Sequence, residues 1–110
     1  MKLAHIHIAF TDLPAAVAWF KTVMGLEPSE EGPGLCVFQW QDVELVLNAD
    51  WGDGDTSCTL AARSDDCRAD YALLVSRGAR ERSLPRDKGS TRNADVFGPG
   101  RLVIELEQEL

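Results

Sequence analysis

Long apolar runs are missing from this 110-residue chain. None approaches the roughly 20 consecutive apolar residues of a membrane-spanning helix, and Lys2, His5 and His7 interrupt the N-terminal stretch too early for a secretory signal. A soluble, cytoplasmic protein without a membrane partner is therefore expected. Cysteine is scarce and odd in number: Cys36, Cys58 and Cys67 form no Cys-x-x-Cys pair, which argues against a disulfide framework or a structural zinc site. Reduced thiols are predicted, with Cys58 and Cys67 in the core. Positive charge is in deficit, with 11 Lys and Arg against 18 Asp and Glu for a net charge of −7. That balance opposes a phosphate backbone and makes nucleic acid an unexpected partner. No Gly-x-x-x-x-Gly-Lys loop, nucleophile-elbow serine or Cys/His pair is present, which disfavours P-loop phosphoryl transfer and serine-hydrolase chemistry. The acidic "DWGDGD" lacks the twelve-residue calcium-loop pattern and reads as a solvated turn. The basic "SRGARERSLPRDKGSTR" reads as a solubilising surface.

What the chain does hold is the composition of an ordinary globular protein, 45% hydrophobic and 26% charged, at a length suited to one small domain. In "LAHIHIAF" the apolar Ala4, Ile6, Ile8 and Phe10 share one face of a strand, and His5, His7 and Ala9 share the other. Thr11 or Asp12 then supplies a helix N-cap and Pro14 fits the first turn. Leu13, Val17, Phe20 and Met24 recur at helical spacing before Gly25 ends the segment. A short strand around residues 27–31 and two longer ones, "LCVFQWQ" and "DVELVLN", complete a β-α-β-β-β pattern.

The pattern then repeats. A shift of 54 places Asp12 on Asp66, Leu13, Val17 and Phe20 on Cys67, Tyr71 and Leu74, and His5 on Thr59. Aligning the Glu-Leu pairs of "VEL" and "IEL" puts Glu44 on Glu105, a shift of 61, so the second half should carry a loop or hairpin about seven residues longer. Two such modules, about residues 1–54 and 55–110 of a single domain, cannot each close a core alone and should pair their sheets, bringing His5, Glu44, Thr59 and Glu105 together on one concave surface.

The stretches "HIHIAFTDLPAAVAWFKTVMGLEP", "VELVLN", "TLAARSDDCRADYALLVSRGA" and "GPGRLVIEL" resemble, in order, the vicinal oxygen chelate superfamily, which includes glyoxalase I, extradiol dioxygenases and bleomycin-resistance proteins. The resemblance implies an α+β fold of two βαβββ modules whose mixed sheet curls around a cup, often completed by the second chain of a homodimer. In metal-binding members such as glyoxalase I, ligands come from the first and last strands of each module. Carried over, His5, Glu44 and Glu105 match three of four ligand positions, and Glu105 or Glu44 becomes the candidate catalytic base. The fourth falls on Thr59, a poor donor for a transition metal. Gly98 and Gly100 also stand where many relatives have the aspartates of "DPDG".

Two functions follow from this resemblance. One is a small-molecule-binding protein whose cup sequesters an antibiotic or other planar compound without an intact four-donor metal site. His7, Thr59, Phe38, Trp40, Trp51 and Arg63 are its expected ligand-binding residues, the aromatics offering stacking surfaces, with packing of either Phe38 or Trp40 beneath the sheet as the alternative. The other is a lyase/isomerase or dioxygenase of the glyoxalase type, in which His5, Glu44 and Glu105 hold Zn, Ni, Mn or Fe.

Overall fold

The computed structural model describes residues 4–49 and 54–110, and the chain divides into two compact units, Met1–Thr56 and Ser57–Leu110. The first unit runs β1 (Ile6–Phe10), α1 (Leu13–Thr22), β2 (Pro28–Gly32), β3 (Leu35–Trp40) and β4 (Val43–Ala49). Its sheet has the order β1-β4-β3-β2, with β1 parallel to β4 and the other pairs antiparallel. The helix begins where the Asp12 carboxylate accepts the Ala15 N–H at 3.0 Å, and Pro14 occupies the first turn, where no backbone donor is needed. Leu13, Ala16, Val17 and Phe20 form its buried stripe. Strand alternation turns Ile8 and Phe10 of β1, Leu45 and Leu47 of β4, and Cys36 and Phe38 of β3 to the helix side, and all six are buried. Phe20 stacks on Phe38 with ring centroids 5.6 Å apart, which joins helix to sheet at the centre of this core.

The second unit repeats the plan as β5 (Cys58–Arg63), α2 (Cys67–Ser76), β6 (Arg80–Lys88), β7 (Thr91–Phe97) and β8 (Leu102–Glu109), in the sheet order β5-β8-β7-β6. Asp66 caps α2 by accepting the Ala69 N–H at 3.1 Å, and Cys67, Tyr71 and Leu74 are the buried stripe that the repeat predicts. They pack over Leu102, Ile104 and Leu106 of β8 and Ala94 and Val96 of β7, all buried. The added length of this half is a hairpin: β6 has 9 residues against 5 in β2. At the turn into β8 the Gly98 N–H donates to the Leu102 carbonyl at 2.9 Å, and Gly100 sits at φ 59, a left-handed conformation suited to glycine. The turn therefore closes with glycines in place of the aspartates.

Two expectations need correction. Cys36 and Cys67 are the buried thiols, whereas Cys58 is half-buried; all three are free, and burial pushes each thiol above its ordinary pKa. The register also differs. Ile6 faces Leu45, 39 residues on, and Cys58 faces Leu102, 44 residues on, so the second half gains five residues between its parallel strands, not seven. Among the described residues no helix is long and apolar enough to cross a membrane.

Candidate functional site

The sheet face of the first unit that points away from α1 carries the polar side chains. His5 precedes β1 and His7 lies within it, their rings meeting edge to face with centroids 4.6 Å apart. The parallel register sets His7 against Val46 and Ala9 against Asn48, and one step earlier brings His5 to Glu44. The His5 Nδ1 to Glu44 Oε1 distance is 3.8 Å, too long for a hydrogen bond and an ion pair only when His5 is protonated. His7 is held more tightly: its Nδ1 donates to Asn48 Oδ1 at 2.7 Å, and Asn48 is only 3% exposed. On β3 the same face bears Leu35, Val37 and Gln39, and Val37 and Val46 are buried. Its open part is thus polar, with His5, His7 and Gln39 exposed and Glu44 half-buried.

In the second unit the corresponding face carries Thr59, Ala61 and Arg63 of β5, Val103, Glu105 and Glu107 of β8, and Asn93, Asp95 and Phe97 of β7. Thr59 stands opposite Val103, and Glu105 stands opposite Ala61 on one side and Asp95 on the other. Asp95 is 5% exposed; its Oδ2 accepts from Arg82 Nη1 at 2.7 Å, while its Oδ1 is buried without a hydrogen-bond partner. Arg80 lies over the Phe97 ring at 4.5 Å from the centroid, a cation–π contact that lines up β6 with β7. Arg63 is exposed and pairs with Glu109 through its Nη1.

Among the residues expected to bind a ligand, Phe38 is misplaced by sequence reasoning. It is 0% exposed and stacked on Phe20, so it belongs to the core on the helix side, opposite the histidines. Trp40 follows Phe38 by two residues in unbroken register and shares that helix-side face, half-buried beside Val43. Trp51 lies outside the described residues, as do Asp50 and Asp53 of the acidic turn. Asp55, from the same turn, anchors the start of the helix, since its carboxylate accepts the Thr11 N–H at 2.6 Å just before α1 begins. Asn48 and Asp95 were not singled out from sequence. The one available signal is a polar residue on the outward parity of an otherwise apolar strand, as Asn48 is four places after Glu44.

No protein-family model matches the sequence, and no curated protein matches it. Solved structures do match along the whole chain. A glyoxalase/bleomycin resistance protein/dioxygenase from Nocardioides is 22% identical, with a TM-score of 0.85 over 100% of this chain and 84% of that one. An antibiotic-binding protein from a Streptomyces strain is 24% identical, with a TM-score of 0.79 over 100% and 99%. A lactoylglutathione lyase from Agrobacterium tumefaciens is 16% identical, with a TM-score of 0.80 over 97% and 92%. The chain has the glyoxalase/bleomycin-resistance fold.

That fold, shared across the vicinal oxygen chelate superfamily, hosts both binding proteins and enzymes, so its likeness alone does not assign chemistry. A divalent metal is the group that the sequence resemblance to glyoxalase I implies, and it would need donors on the first and last strands of each module. The row that pairs first and last strands supplies an imidazole and a carboxylate in the first unit, His5 and Glu44. The same row in the second unit supplies Thr59 and Val103, a weak donor and none. Glu105 stands one alternate position further along, beside Ala61. The residues therefore do not fit a four-donor centre. Among the described residues no three His, Cys, Asp or Glu side chains are grouped to hold a metal ion.

Proposed function

We propose that this chain is a small-molecule-binding protein of the glyoxalase/bleomycin-resistance fold, holding an organic ligand against its polar sheet faces without a four-donor metal centre. The observation that carries the reading is the inequality of the two ladder rows, His5 with Glu44 against Thr59 with Val103. The four-donor centre that the resemblance implies draws ligands from the first and last strands of each module, whereas a binding surface needs only a few placed polar anchors. The similarity to an antibiotic-binding protein over almost the full length of both chains supports the same reading. His7 is its best-held polar anchor, with Thr59 and Arg63 exposed on the second unit. The resemblance also implies two copies associating, so sedimentation should report about twice the 12.1 kDa chain mass.

The test is a fluorescence titration, using the three tryptophans as reporters, against a broad panel of small organic compounds. Saturable binding of at least one compound class by metal-free protein is the expected result. Failure of the whole panel, with the protein shown to be folded, overturns the proposal.

One observation favours a second reading, in which the chain is a divalent-metal enzyme of the glyoxalase type. His5 and Glu44 already stand 3.8 Å apart, and Glu105 is a second carboxylate on the corresponding face of its own unit. Elemental analysis of untagged protein, with and without added Zn, Ni, Mn or Fe, separates the two. Stoichiometric metal that is lost in both His5→Ala and Glu105→Ala overturns the metal-free reading; no retained metal after those additions overturns the metal-enzyme reading.

A further inference from the structure

We infer that Asn48 is a positioning residue that locks His7 in its Nδ1–H tautomer, so that the exposed Nε2 lone pair is the acceptor for a hydroxyl or N–H donor on the bound ligand. This rests on the small-molecule-binding reading and names the ligand group that the site selects. A neutral imidazole carries one ring proton, and its place is fixed by whichever partner the other nitrogen meets. The partner here is Asn48 Oδ1, 2.7 Å from Nδ1, and a carbonyl oxygen only accepts, so the proton resides on Nδ1. Asn48 cannot readily turn away: it is 3% exposed and sits in β4 between Ala9 of β1 and Leu35 of β3. The edge of His5, at a centroid distance of 4.6 Å and an interplanar angle of 70°, limits the ring of His7 from the other side. His7 is itself exposed, so Nε2 can be reached by a ligand. A fixed acceptor of this kind rewards a ligand that donates and leaves a methylated analogue unpaired.

The test has two readouts, both at pH 8. Nitrogen-15 long-range correlation spectra of the whole protein report the tautomer of each histidine. The wild type should show His7 protonated on Nδ1; Asn48→Ala should move the proton toward Nε2, and Asn48→Asp, which retains an acceptor oxygen, should restore it. In parallel, tryptophan fluorescence compares matched hydroxy and methoxy probes whose hydroxyls stay protonated at this pH: 4-phenylphenol with 4-methoxybiphenyl, and 2-naphthol with 2-methoxynaphthalene. The hydroxy member should bind the wild type about three- to tenfold more tightly in at least one pair. That preference should vanish in His7→Ala, an exposed position whose truncation leaves the core intact. An Nε2–H tautomer in the wild type overturns the inference even if Asn48→Ala fails to fold. So does a wild type that does not discriminate within either pair, or a preference that survives in His7→Ala. Equal binding of both members would leave the small-molecule reading standing while removing this one, which separates the two failures.

Discussion

At Phe38 a single step of strand alternation decides what the side chain can do. The residue looks like a stacking platform in sequence because it is aromatic and near the end of a strand, but parity with Cys36 and Trp40 turns it to the helix. Its truncation to Ala is expected to cost about 3–5 kcal/mol in denaturant unfolding, from lost burial and a cavity against Phe20. Unfolding rather than selective ligand loss is therefore the outcome to measure. Tyr71 offers a second residue-scale prediction, because it is the only tyrosine in the chain. Burial first, and the nearby Glu81 carboxylate second, push its hydroxyl from 10.0 up to about 12, although the oxygen makes no hydrogen bond of ordinary geometry. The fold favours the protonated phenol, so this contribution to stability is complete below pH 10 and is lost as the pH rises through about 12. Tyrosinate absorbance should titrate near 12 in the native protein and near 10 in denaturant; a native midpoint near 10 would show an open hydroxyl.

At the scale of elements, both helices are legible in the sequence because each begins with an Asp cap and continues with an apolar stripe. The cap hydrogen bonds at Asp12 and Asp66 have nearly equal lengths, 3.0 and 3.1 Å, at positions separated by the repeat. Asp12→Ala and Asp66→Ala are each expected to cost about 1 kcal/mol in denaturant midpoint analysis, by leaving the Ala15 and Ala69 donors without their carboxylates. The succession of strands along the chain is equally readable from alternation and turn residues, whereas the sheet order, with the first strand parallel to the last, is not. Nor is register. Aligning "VEL" with "IEL" is natural by letter, yet the ladder sets Glu44 beside the position of His5 and Glu105 beside Ala61. The irregular pairing between Glu81 and Ser83, and again between Ser83 and Arg86, takes up residues that spacing alone cannot assign. The site inherits that gap: its residue types were visible, while the rows that decide which of them are neighbours were not.

For the molecule as a whole, the same ladder pattern closes each unit. The first strand pairs in parallel with the last, β1 with β4 and β5 with β8, and each first strand lies at its sheet edge. Deleting Leu102–Leu110 should leave β5 without the strand it pairs with and strip Leu102, Ile104 and Leu106 from beneath α2. Near-complete loss of amide protection across residues 57–79, with β1 to β4 still protected in hydrogen exchange, is the expected result. Protection of β5 in the truncated chain would show that β8 is dispensable. The pairing also has a temporal consequence. Ile6 meets its partner only when Leu45 exists, and Cys58 only when Leu102 does. During synthesis each first strand must remain unpaired until the last strand of its unit has emerged from the ribosome, 39 residues later for β1 and 44 for β5, which leaves both open to non-native pairing in the nascent chain.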